Sequence, residues 1–200
     1  MASRLSFDPV VVGRAECAAW AAYYRYEWGR LLTASLTMVG EGFQLGPAAT
    51  VRGAWYVLRA NQAWAPFPDN DPDAAREQMR RFYALVDRAG RLSVDPVRAA
   101  ELEVEWWRVH RAHQHDPAVG LDALTRSLVD LYAYVYVAEP DDVRRAAELR
   151  AEAMDHSDAW VSAGCDPLDD RLAAERRALV ASYTALRDAL DRGALPGARG

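Results

Sequence analysis

The chain has 200 residues, 51% hydrophobic and 26% charged, enough to bury a sizeable core without disulfide or metal staples. Its formal charge of -5, with no clustered basic run, argues against a nucleic-acid partner, because phosphate binding needs a concentrated positive surface. Every basic residue is arginine, lysine and isoleucine are absent, and Cys17 and Cys165 form no CxxC pair, so neither a redox motif nor a zinc knuckle is implied.

Residues 1–8 lack the basic-then-apolar pattern of a secretory leader, and the uncharged run between Arg30 and Glu41 is too short to span a bilayer. A cytoplasmic protein without a membrane span is expected. Asp-Pro recurs at Asp8-Pro9, Asp71-Pro72, Asp95-Pro96, Asp116-Pro117 and Asp166-Pro167. Such a pair supplies a capping acceptor and then a preset φ with no orphan N–H, which is what a helix start needs. With Gly46-Pro47 and Glu139-Pro140 added, helices are predicted over 13–39, 48–64, 72–89, 96–114, 118–138, 140–163 and 167–192. Gly40 and Gly42 read as the first stop, followed by Gly90, Gly164 and Gly193. Residues 1–8 and 193–200 read as frayed ends.

Two segments need separate treatment. Tyr132, Tyr134 and Tyr136 alternate with apolar residues in Leu131–Val137, a strand pattern, but nothing nearby could pair with it and a helix is kept. Trp64–Asp71 is the one Pro-rich connection, and its aromatic side chains are expected to dock on the domain rather than form a lip over a pocket. The expected fold is all-α: one domain over residues 1–200, a helical bundle of about seven helices.

Chemistry is suggested only by polar residues on apolar faces. At about 100° per residue, Glu27 shares a stripe with Glu16, Trp20, Tyr23, Leu31, Ala34 and Met38. Glu103 and His110, seven apart, share a face with Ala99, Leu102 and Trp106, and His113 lies toward its edge. The opposite side already carries Arg98, Glu101, Glu105 and Arg108, which leaves Glu103 and His110 pointing inward. A buried carboxylate costs several kcal/mol unless it is paired or metal-bound, so each calls for a partner. His156 lies at the edge of its helix's apolar arc, four residues after a solvent-facing Glu152.

Inward Glu and His side chains on several helices loosely resemble the di-metal carboxylate proteins built on four-helix and haem-oxygenase-like bundles. That resemblance covers a few positions only. The Glu-x-x-His pair of that pattern is missing, the nearest spacings being Glu103-x6-His110 and Glu152-x3-His156. What it implies is a non-haem oxidase or oxygenase using iron, manganese or zinc, with Glu27, Glu103, His110, His113 and His156 as the candidate ligands. The other explanation for these residues is a structural network satisfied by arginines and tyrosines.

No GxGxxG, GxxxxGK[ST] or GxSxG motif is present. The favoured expectation is therefore a non-catalytic helical protein. It would bind a small apolar ligand or a partner helix, or self-associate, through the aromatic residues Trp20, Tyr23, Tyr24, Trp55 and Trp106.

Overall fold

A computed structural model describes residues 5–193, which form α-helices with no strand among them. The helices are α1 Pro9–Tyr24, α2 Trp28–Phe43, α3 Pro47–Trp64, α4 Pro72–Arg88, α5 Pro96–His115, α6 Leu121–Tyr136, α7 Pro140–Ser162 and α8 Asp170–Gly193. There are thus eight where the sequence suggests about seven, and Leu131–Val137 lies in or at the end of a helix.

The extra helix comes from a break inside the predicted 13–39 segment. Tyr26 takes φ +57°, the Tyr26 N–H donates to the Tyr23 carbonyl, and the Glu27 N–H donates to the Ala22 carbonyl. Those two bonds make a Schellman motif, the ordinary way of satisfying the last carbonyls of a helix. It is built here on tyrosine instead of glycine, so no residue type announces it. Glu27 consequently moves off the inner stripe and becomes the N-terminal cap position of α2.

Punctuation by Asp-Pro is obeyed three times in five. The Asp8, Asp71 and Asp95 carboxylates accept backbone N–H groups at the starts of α1, α4 and α5. Asp116 and Asp166 instead close turns onto the N–H groups of Ala118 and Leu168, and α6 and α8 begin several residues later. Gly40 and Gly42 do not stop α2, which ends at Gln44 in the left-handed region. Gly40 serves close packing: a Cβ there would stand 3.1 Å from the Thr50 methyl group of α3.

Each helix packs chiefly on its neighbours in the chain, and α8 returns to pack on α1, so the eight helices close into a ring. The seam between α8 and α1 is tight. A Cβ on Gly13 would lie 2.8 Å from the backbone of Val180, so only glycine permits this approach. One continuous apolar cluster runs through the ring, including Trp106, Leu124, Leu128, Met154, Trp160, Leu179 and Leu186. Among the described residues no helix is long and apolar enough to cross a membrane.

Candidate functional site

The centre of the ring is not filled. A cavity of about 130 Å³ is lined by residues from all eight helices. Leu31, Val39 and Phe43 of α2, Val57 of α3, and Met79 and Phe82 of α4 make an apolar wall. Charged groups come from α1, α5 and α7 as Glu16, Glu103 and Arg150, with Tyr83, Tyr132, Tyr136 and Tyr183 among them. This division gives one space a greasy side and a polar side.

The polar side is a connected network. Glu16 is 2% exposed, and its carboxylate receives the Arg150 Nη2, the Trp20 Nε1 at 3.2 Å and the Tyr183 hydroxyl. Arg150 also donates to the Tyr132 hydroxyl at 2.9 Å, and its guanidinium lies 4.9 Å over the Trp106 ring. Burial alone would lower the Arg150 pKa, but Glu16 beside it, followed by the tyrosines and Glu103, holds it well above its ordinary value. Glu103 accepts from the Tyr83 hydroxyl at 2.6 Å and the Trp106 Nε1 at 3.0 Å. Burial first, then the nearby carboxylates, push Tyr83 and Tyr183 well above the usual phenol range. Tyr132 and Tyr136 are raised as well, chiefly by burial, so all four phenols are neutral at pH 7.

Two buried polar atoms on lining residues are unmatched: the Ser35 hydroxyl, between Leu31 and Val39 on the apolar side and on a residue with no exposed surface, and the Arg150 Nε on the polar side. Nearly all buried polar atoms in proteins find a partner, so unmatched atoms facing a cavity point to something that enters it.

The predicted aromatic residues divide. Trp20 and Tyr23 line the cavity, and Trp106 stands behind it as a buried support for Glu103 and Arg150. Tyr24 belongs to a separate, more open cleft of about 330 Å³, together with Phe67, Arg111, Gln114, His115 and Asp158. Trp55 is 51% exposed on the outer face of α3, outside the cavity and that cleft, because its neighbours Ala54, Val57 and Leu58 take the inner positions.

The candidate metal ligands also have separate partners. Glu27 is held at the surface by Arg25 at 3.1 Å and Arg30 at 2.9 Å, a correction to its expected inward position that follows from the α1–α2 break. Glu103 does turn inward, but onto Tyr83 and Trp106. His110 is 5% exposed, faces Asp158 at 3.1 Å and stacks on Trp106. His113 bridges the Val119 carbonyl and Asp155. Burial opposes a charge on His113, yet that carbonyl and Asp155 outweigh it and raise its pKa. His156 is on the surface, 3.8 Å from Glu152. Among the described residues no three His, Cys, Asp or Glu side chains converge as a metal ion requires. The oxygenase expectation is left without a ligand set. In the Trp64–Asp71 connection Trp64 is buried as expected, whereas Phe67 stays 54% exposed at the edge of the Tyr24 cleft, stacked on His115 and 5.0 Å from the Arg111 guanidinium, closer to the lip that was not expected.

Arg150 was the residue missed in sequence, although it had the same signal as Glu103. It sits four residues after Ala146 and four before Met154, in the middle of the apolar face of α7. Glu175 was missed likewise, between Leu172 and Leu179 on the inner face of α8.

Comparison with protein-family models, curated proteins and solved structures returns no match, so the site stands on its own geometry.

Proposed function

We propose that this protein binds a small amphipathic molecule in its central cavity, apolar body against α2, α3 and α4 and polar end toward Glu16, Glu103 and Arg150. The observation that carries the reading is the central cavity itself, to which each of the eight described helices contributes and in which the Ser35 hydroxyl lacks a partner. Unused space in a core costs stability, since lost contacts are not replaced. An occupant would restore them.

Size limits the occupant. A cavity of about 150 Å³ in another protein takes up benzene, so about 130 Å³ limits the apolar body of the occupant to about one six-membered ring. The second reading is binding through a partner helix or self-association, favoured by the exposed Val51 and Trp55 on α3 and by an open, mainly apolar groove that includes Val11 and Ala18 of α1 and Ala34 of α2.

Calorimetric titration with benzyl alcohol tests the reading, with Val57→Phe as the filled-cavity control. Saturable binding to the natural protein that the variant loses is expected. No binding of any single-ring compound to the natural protein would remove the proposal.

A further inference from the structure

We infer that the occupant of this cavity is a cation, a small arylalkylamine held with its ammonium group at the Glu103 carboxylate. The inference rests on the cavity-binding reading above and concerns the sign of charge the site selects.

The charged side chains lining the cavity are Glu16, Glu103 and Arg150, two negative and one positive. Arg150 is committed to Glu16, which it meets as an ion pair, and to Tyr132. Glu103 has no cation at ion-pair distance; its oxygens receive only the neutral Tyr83 hydroxyl and Trp106 indole N–H. The polar wall therefore carries one negative charge in excess, and Glu103, which is only partly buried, is its carboxylate without an ion-pair partner. Neutral phenols cannot stand in for one.

Aromatic rings on the lining favour a cation: Trp20, Tyr23, Phe82, Tyr83, Trp107 and Tyr132 bring electron-rich faces that attract ammonium groups. The unmatched Arg150 Nε is the one feature an anion would serve, so a carboxylate belongs in the test.

The experiment titrates the natural protein at pH 7 with three probes of one shape: benzylamine, benzyl alcohol and benzoate. Benzylamine is expected to bind roughly tenfold tighter than the alcohol, as a charge-assisted contact should, and benzoate weakest. Glu103→Gln is expected to abolish the preference for the amine, read as the ratio of amine to alcohol affinity in the same variant. Alcohol and amine binding equally would overturn the charge assignment and leave the binding reading intact, and so would benzoate binding tightest. An amine preference that survives in Glu103→Gln would overturn the role of Glu103. If none of the three binds, the cavity reading fails and this inference falls with it. The three-probe comparison uses unaltered protein, so it decides the matter even if Glu103→Gln does not fold.

Discussion

Glu16 of α1 and Arg150 of α7, 134 residues apart in sequence, form an ion pair at the heart of the ring, between helices that are not principal packing neighbours. Each is the other's main compensation for burial. Removing the cation alone strands a carboxylate that is 2% exposed. Arg150→Met is therefore expected to cost about 3–5 kcal/mol of folding stability, and the double variant Glu16→Gln, Arg150→Met to recover much of it. Urea denaturation of both variants and of Glu16→Gln measures the coupling. A double variant no better than Arg150→Met would show that the pair is not self-compensating.

At the seam between α1 and α8, Gly13 meets backbone and not a flexible side-chain end. Gly13→Ala must push two helices apart and is expected to destabilise by about 1–3 kcal/mol. Gly29, in the first turn of α2 with open space around it, is the control: Gly29→Ala should gain about 0.5 kcal/mol from helix propensity. Thermal melts of the two variants should move in opposite directions.

Val137 ends α6 at φ +52°, a left-handed conformation that a β-branched residue adopts at a cost, and it is 77% exposed. Nothing its side chain does inside the protein offsets that cost. Val137→Gly is expected to raise stability by about 1 kcal/mol, read as a higher melting temperature with an unchanged denaturant slope.

Glu175 is completely buried in α8, with the Ser157 hydroxyl beside it and no charged partner among the described residues. Burial, with Glu16 adding its charge, pushes its pKa up from 4.5 to about 8. The unfolded chain releases this proton near pH 4.5, whereas the folded protein keeps it until about pH 8. Between those values the native state binds more protons, so stability falls as pH rises, by at most about 1.4 kcal/mol per pH unit from this group. Glu175→Gln should flatten that slope and melt higher than the natural protein at pH 8. Equal slopes for the two proteins between pH 5.5 and pH 8 would contradict the assignment.

Much of the architecture was legible because helix starts are local chemistry. Pro9, Pro47, Pro72, Pro96 and Pro140 each stand at the first position of a helix. The α1–α2 break was not legible, because Tyr26 carries no turn preference and the hydrophobic stripe continues across it. That single misreading moved Glu27 from the surface to the interior. Glu103 could be placed inward by elimination, since arginines and glutamates already filled the other side of α5. Its partner Tyr83, 20 residues away on α4, could not be found that way, nor could the pairing of Glu16 with Arg150. Periodicity tells which way a side chain points along its own helix. It does not tell which other helix it will meet.

The closed circuit of helices also means that this molecule has no architectural first or last element. Gly13 beside Val180 makes the junction between opening and closing segments as intimate as any internal contact. Tying the two ends together and cutting instead at the connection 89–95 would leave every helix with the same companions. A gene rearranged in this way should yield the same central cavity.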